Sequence, residues 1–333
     1  MRGASLARSF APALSCARVF SSACVDNSTL QGGAAVAAFA GAHGPPLSHR
    51  KVKKHMSELL NTPGALATDW RTLWRLRRLL AVMTLRELQG RFAGSAGGLF
   101  WAWAQPALGI AAYYLVFDVV FALRMGQADA AGAQAPRLGA FLIVGMLAWM
   151  AFSDATQRAM GSLVEAGGLL QKNPLPPALF PARAVLGSAV VFAPLQLALV
   201  LAYWPRHGGA LPVWLLMPLL VLTQALLAWL LGYLLAVLTA ALRDVAQVAQ
   251  FVFSIGVFFA PVLFPITLFP QGWRALLWLN PMTAWVLAYQ ALLLHGQWPP
   301  AQVWLAMLAW LAALALLLNV ALRRVRDQLV DWL

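Results

Sequence analysis

The sequence predicts an all-α polytopic membrane protein, and three observations lead to this fold class. The 333 residues are 61% hydrophobic and 11% charged, whereas soluble domains carry about 25% charged residues. Six stretches are apolar enough for spanning helices, which need about 20 such residues. The net charge of +13 lies at the ends of these stretches and near the N-terminus, as expected for membrane topology and not for nucleic-acid binding.

Residues 1–55 differ in composition from the rest and are predicted to be an N-terminal extension that is disordered or not native. They are rich in Ala, Gly and Ser, are basic, and contain both cysteines, Cys16 and Cys24, whose spacing fits no zinc or redox motif. One interpretation is a transit-like leader. The other is a segment without a folded role, upstream of a start at Met56.

Residues 56–98 are predicted to contain a cytoplasmic amphipathic interface helix. At 100° per residue one face is polar, and its members are Arg71, Arg75, Arg78, Arg86 and Gln89. The opposite face is apolar and comprises Leu73, Leu76, Leu80 and Met83. Such a helix lies flat on a membrane, with its apolar side in the acyl boundary and its cations toward anionic headgroups.

Residues 99–333 are predicted to form a domain of six spans. These are Leu99–Leu123, Leu138–Gln157, Ala182–Trp204, Val213–Leu242, Val245–Phe264 and Gln302–Leu322. With the N-terminus inside, the cytoplasmic segments from Trp70 onward carry thirteen Lys or Arg and the external segments carry four. Because positive residues accumulate on the cytoplasmic side, we expect both termini there.

The connection before the last span, residues 265–300, is predicted to be a re-entrant helical hairpin in the outer leaflet. It is too apolar for a solvated loop, and Pro265, Pro270 and Pro281 interrupt it. Irregular backbone at this depth must be buried in protein or face water. The alternative is a seventh span at Pro281–His295, but about 15 residues is short for a span.

The sequence indicates a transport subunit and not an enzyme. A phosphate-binding P-loop needs Gly followed by Lys, and none of the four lysines follows a glycine. His207 and His295 are isolated, so we expect no metal site. Asp118 and Asp154 lie close to predicted span ends, where an interfacial carboxylate is a better interpretation than a proton relay. We expect no cofactor on this chain.

The run RELQGRFAGSAGGLFW, from Arg86 to Trp101, followed by Gln105-Pro106, resembles the entry signature of bacterial polysaccharide-export ABC permeases. The resemblance continues in order through LPPALFP at 175–181, RDV at 243–245, FFAPVLFP at 258–265 and LNPM at 279–282. It covers the chain from about Trp70 to the C-terminus.

This resemblance implies a permease that exports a lipid-linked polysaccharide, such as O-antigen, capsule or teichoic acid, across the bacterial inner membrane. Two copies would form the channel, and a separate ABC ATPase subunit would bind ATP and Mg. Two alternatives are a permease for another cargo, such as a lipid or drug, and an integral-membrane enzyme acting on lipid-linked sugars. The lack of clustered Asp, Glu or His argues against the enzyme.

The resemblance also implies a coupling loop at residues 165–181, seated in a groove of the ATPase subunit. Its candidate coupling residues are Glu165, Lys172, Pro176 and Pro181. The family often has an Arg-Glu pair where this chain has Pro177-Ala178, which puts specific salt bridges at that contact in doubt. The alternative is an ordinary proline-rich loop.

Three further groups are candidate functional residues. Arg86 and Arg91 on the interface helix are expected to face the phosphates of a lipid carrier. Arg243 and Asp244 form either a gate element or a cap of two helix ends. Aromatic rings on the fifth span are expected to line a sugar path, although packing against lipid or other helices is the alternative; they are Phe251, Phe258, Phe259 and Phe264.

Overall fold

The computed structural model describes residues 65–325, except for 92, 99, 117–137, 174, 204–210, 264 and 267–269. Within these ranges the chain forms helices and no strands, so the predicted all-α class is confirmed. The predictions for residues 1–55, Asp118, His207 and Phe264 lie outside the described residues.

The helices follow one another with short connections. In chain order they are α1 (Ala65–Arg75), α2 (Arg77–Arg91), α3 (Phe100–Tyr114), α4 (Leu138–Glu165), α5 (Gly167–Lys172), α6 (Leu179–Tyr203), α7 (Leu211–Ala241), α8 (Asp244–Gly256), α9 (Gln271–Leu277), α10 (Met282–His295) and α11 (Ala301–Val325).

Four of these helices, α4, α6, α7 and α11, are long and apolar enough to cross a membrane. They correspond to the predicted second, third, fourth and sixth spans. Helix α3 covers the first part of the predicted first span, whose remainder lies outside the described residues. The structure therefore supports a multi-pass membrane protein, in which the described residues include four helices long and apolar enough to span, or five if the bent pair α9–α10 counts as one span.

Residues 257–263 of the predicted fifth span, Val245–Phe264, are not helical. Helix α8 ends at Gly256 after 13 residues, which reach only about 20 Å of the roughly 30 Å hydrocarbon core. The backbone then turns as far as Leu263. Pro261 explains the stop, because its ring would clash with the carbonyl of Val257 in a continued helix and it offers no amide hydrogen.

Helices α9 and α10 meet at an angle of 104°, in the segment predicted to form a hairpin. An angle of this size fits a broken span or a re-entrant loop. Helix α10 has 14 residues, or about 21 Å, so it is too short to be the alternative seventh span by itself.

Helix α4 is the centre of the packing. It contacts α3, α6, α7, α8 and α10. In its most apolar 18-residue stretch 78% is buried, whereas in that of α11 only 22% is buried. This difference places α4 inside the bundle and leaves most of α11 at its periphery.

Side-chain amides hold α10 in this core. The Tyr289 hydroxyl donates a 2.6 Å hydrogen bond to Oε1 of Gln224, whose Nε2 donates to the Ala148 carbonyl at 2.9 Å. Gln290 Nε2 donates to the Pro261 carbonyl at 2.8 Å. Three helices and the turn after α8 are thereby linked within an apolar interior, where an unpaired amide would be costly.

Asn280 fixes the break between α9 and α10. Its Nδ2 donates to the Gly256 carbonyl at 3.0 Å, and its Oδ1 accepts a hydrogen bond from the Met282 amide, also at 3.0 Å. The LNPM motif thus satisfies backbone groups at the end of α8 and at the start of α10. The Gln290–Pro261 bond in turn attaches α10 to the FFAPVLFP motif that follows α8.

The close approach of α7 and α4 at Gly232 gives a first prediction. A Cβ at Gly232 would lie 2.5 Å from Ala159 Cβ and 3.2 Å from the Thr156 carbonyl oxygen. Gly232→Ala should therefore separate the two helices at a cost of about 1–3 kcal/mol and lower the melting temperature of the detergent-solubilised protein.

The matched control is Gly90→Ala in α2, where no atom lies within 4 Å of the added methyl group. Its melting temperature should stay the same or rise, since alanine is the better helix former by about 1 kcal/mol. Equal losses in both variants would contradict the proposed close contact.

Candidate functional site

The segment predicted to be the interface helix is helical and forms α1 and α2, which are interrupted only at Leu76. Helical hydrogen bonds continue through the interruption, from the Leu76 amide to the Thr72 carbonyl and from the Leu80 amide to the Leu76 carbonyl. The predicted polar residues are all exposed, namely Arg71, Arg75, Arg78, Arg86 and Gln89. Leu73 and Leu80, from the predicted apolar face, are buried.

The apolar face of this helix packs on protein, which corrects the expected contact with the acyl boundary. Leu73 and Leu80 belong to the main hydrophobic core, and Leu88 belongs to a second cluster. Helix α1 contacts α11, and α2 contacts α6. Trp70 and Trp74 are exposed among the arginines, an amphipathic mixture typical of membrane-surface contacts.

The two candidate phosphate-facing arginines lie in different environments. The Arg86 side chain is exposed. The Arg91 side chain is only 10% exposed, and its Nη2 lies 2.6 Å from Oε1 of Glu87, one helical turn earlier. Of the two, Arg86 is therefore the cation accessible from outside this chain.

Glu87 also faces a second cation, on another helix. Its Oε2 lies 3.5 Å from Nε of Arg183, close enough for an ion pair but without hydrogen-bond geometry. The Arg183 guanidinium lies over the Phe180 ring at 5.2 Å. One carboxylate thus holds two arginines at the contact between α2 and α6, and we call these three residues the Glu87 cluster.

A neighbouring contact joins α6 to the central helix α4. Asp154 accepts hydrogen bonds from Arg158 Nε at 2.8 Å and from Ser188 Oγ at 2.5 Å. Asp154, predicted to be an interfacial carboxylate, is therefore part of a cross-helix contact. Together with the Glu87 cluster, it ties α2, α6 and α4 together through charged groups.

The coupling segment contains a short helix, α5, between α4 and α6. Glu165 and Lys172 are exposed, as are the apolar Val164 and Leu169, the latter by 43%. Pro176 is half-buried, whereas Pro181 is buried inside the first turn of α6. The exposed residues of the predicted coupling loop therefore lie between Glu165 and Lys172, and Pro181 contributes to packing.

Arg243 and Asp244 form an exposed turn between α7 and α8. Asp244 is the first residue of α8, where a carboxylate is favoured by the helix dipole. The structure gives no side-chain cap hydrogen bond at this helix start, so the choice between a gate element and a cap stays open, and both side chains are exposed.

Helix α8 presents a broad exposed face. Phe251 on α8 and Phe258 and Phe259 in the turn after it are exposed, and Phe264 lies outside the described residues. At 100° per residue the exposed arc has two halves. One half carries Phe251 with polar neighbours, and these are Gln247, Gln250 and Ser254. The other half is aliphatic and consists of Val248, Val252 and Ile255.

Sequence reasoning missed Glu87 and Arg183 as partners. The spacing of Glu87 and Arg91, four residues apart on a helix, signals a possible ion pair. The contact with Arg183 joins distant parts of the chain and leaves no such local signal. Among the described residues, no group of three His, Cys, Asp or Glu could hold a metal ion.

Comparison with known proteins places this arrangement in a family. Residues 78–294, which contain every candidate residue above, match the family described as "ABC-2 type transporter". The chain is 31% identical over 246 residues to the O-antigen export system permease protein RfbA of Myxococcus xanthus, covering 72% of this chain and 89% of the relative.

A protein of the same name from Klebsiella pneumoniae is 22% identical over 222 residues, covering 66% of this chain and 81% of that relative. The match to the family extends over more than half of the chain and includes α2 through most of α10. This protein belongs to the ABC-2 type transporter family of membrane subunits.

Proposed function

We propose that this chain is the permease subunit of an ATP-driven ABC exporter that moves a lipid-linked polysaccharide across the bacterial inner membrane. The similarity to O-antigen export permeases over 89% of a relative's length carries this proposal. ATP and Mg would bind to a separate ATPase subunit, because this chain has no P-loop lysine. The charge asymmetry supports cytoplasmic termini.

The ATPase subunit would dock on the exposed end of α4 and on α5. There Val164 and Leu169 offer apolar contacts beside the charged Glu165 and Lys172. Small apolar anchors surrounded by polar groups are typical of protein interfaces. Pro176 would border this surface, and Pro181 would hold the start of α6 in place behind it.

The docking proposal predicts the effect of a charge at its apolar centre. Leu169→Asp should abolish co-purification of the tagged permease with its ATPase subunit, because the carboxylate would be buried without a partner. The control is Arg324→Asp, which places an acid at an exposed position of α11 and should leave the complex intact. Recovery of the ATPase with both variants would contradict docking at α5.

The sugar path would run along the polar half of α8. Gln and Ser side chains at membrane depth are unfavourable against lipid and face protein or water. Phe251 lies between them, so this half offers a ring face and hydrogen-bonding groups to a passing sugar. The aliphatic half would face lipid or the second copy, with which this chain would form the channel.

Thiol labelling tests this orientation, since Cys16 and Cys24 are the sequence's two cysteines and can be replaced. Gln250→Cys and Ser254→Cys should react with a membrane-impermeant thiol reagent in the assembled transporter. Val248→Cys and Val252→Cys should react far more slowly. Similar labelling rates at all four positions would contradict a water-filled path along the polar half. A glycan stalled in the transporter should slow labelling only of Gln250→Cys and Ser254→Cys.

The exposed Arg86 would meet the phosphates of the lipid carrier, whereas Arg91 is mostly buried and paired with Glu87. A charge-assisted hydrogen bond is worth about 1.5–3 kcal/mol. Arg86→Ala should therefore reduce O-antigen export by roughly tenfold or more, with normal amounts of protein in the membrane. Arg86→Lys should retain part of the export.

Arg323→Ala, which removes an exposed cation from the end of α11, serves as the control and should export normally. Undiminished export by Arg86→Ala would exclude a phosphate-binding role for this side chain.

A further inference from the structure

We propose that Glu87 is a positioning residue that makes the interface helix and the helix emerging from the coupling loop move as one body. This inference rests on the proposed ATP-driven function. It assigns Glu87 a role in transmitting movement from the ATPase subunit to the membrane domain, separate from contact with either ATP or cargo.

The position of the Glu87 cluster carries the argument. Arg183 lies in the second turn of α6, which begins at Leu179 immediately after the coupling segment. Glu87 and Arg91 lie in the last turns of α2, just before the turn that leads into α3. The cluster is therefore a direct side-chain link between two elements that are far apart along the chain.

The geometry makes this link specific. Glu87 lies between two guanidinium groups, at 2.6 Å from Arg91 and 3.5 Å from Arg183. The side chains of Glu87 and Arg91 are 19% and 10% exposed, so water screens them weakly. Gly187 permits the approach, because a Cβ there would lie only 3.0 Å from Arg91 Nη2.

The charge balance makes Glu87 the member on which the contact depends. The cluster has two cations and one anion, so neutralising Glu87 leaves two mostly buried cations facing each other. Removing one partner of a buried ion pair leaves uncompensated charge and is strongly unfavourable. Helices α2 and α6 would then lose their attraction and acquire a repulsion, even though the apolar contacts of Leu80 and Leu88 remain.

The first test measures glycan exported per ATP hydrolysed in proteoliposomes containing the permease–ATPase complex. Glu87→Gln should lower this ratio by about tenfold, within the usual range of coupling energies between sites, while ATP hydrolysis continues. Arg323→Gln, an exposed charge removal on α11, should not alter the ratio. An unchanged ratio in Glu87→Gln would overturn the inference.

Exchanging the charges of Glu87 and Arg183 distinguishes an ion pair between them from a requirement for a carboxylate at position 87 alone. Glu87→Arg and Arg183→Glu should each reduce the ratio. The double variant again has one carboxylate between two guanidinium groups, now with the carboxylate on α6, and should recover much of the loss. A double variant as defective as the worse single variant would count against the link.

A covalent bridge tests whether joint movement is the role of the cluster. In a background without Cys16 and Cys24, Glu87→Cys/Arg183→Cys should be uncoupled, and a short bifunctional thiol reagent should restore export per ATP. The corresponding monofunctional reagent should not. Failure of a formed bridge to restore coupling would overturn the proposed transmission.

The wild-type complex keeps this inference distinguishable from the proposed function. If the wild-type permease and its ATPase subunit export no polysaccharide in the same liposomes, the proposed function fails. If the wild type exports and the Glu87 variants keep their ratio, only the role of Glu87 fails.

Discussion

A lipid interior offers no water to unpaired backbone groups, and this constraint explains how the bundle tolerates two broken helices. Helix α8 stops at Gly256, and α9 meets α10 near Pro281. Asn280 donates a hydrogen bond to the carbonyl of Gly256, the last residue of α8, and Gln290 donates one to the carbonyl of Pro261 in the turn that follows. Gln224 connects α10 to α4. The short elements can therefore remain in the core because side-chain amides replace the helical bonds that the breaks remove.

The same helix breaks also determine which residues of α8 are exposed along the proposed sugar path. Because α8 is short and packs on α4 and α7 by one side only, its polar and aromatic half stays exposed within this chain. Gly256 lies against the Trp149 ring, where a Cβ would come within 2.8 Å, so the end of α8 approaches the central helix closely. The residues that end the helix thus also place Phe251 and its polar neighbours at the surface.

Much of this arrangement follows from local sequence patterns. Apolar length predicts α4, α6, α7 and α11, and the 100° periodicity predicts the exposed arginines of α1 and α2. Pro261 is present in the sequence, but an apolar run around one proline also fits a kinked helix, so the end of α8 was not predictable from composition. Neither was the pairing of Glu87 with Arg183, because it depends on how α2 packs against α6. For the same reason Arg86 and Arg91, equivalent as cations in the sequence, differ in exposure.

Neutral amide contacts and charged contacts differ in how strongly they resist movement of the helices they join. The amide contacts of Gln224, Tyr289 and Gln290 are neutral, short-range and enclosed by apolar side chains, so shifting the helices would leave unpaired groups in an apolar interior. The charged carboxylates of Glu87 and Asp154 keep part of their surface exposed, 19% and 26% of the side chain, so a displaced carboxylate can regain water. If the proposed exporter moves first at α5, that movement would meet less resistance when α2 and the start of α6 shift together than when α4, α7 and α10 separate. In the proposed exporter, partly exposed charged contacts and enclosed amide contacts would favour displacement of α2 together with the start of α6 over separation of the central helices.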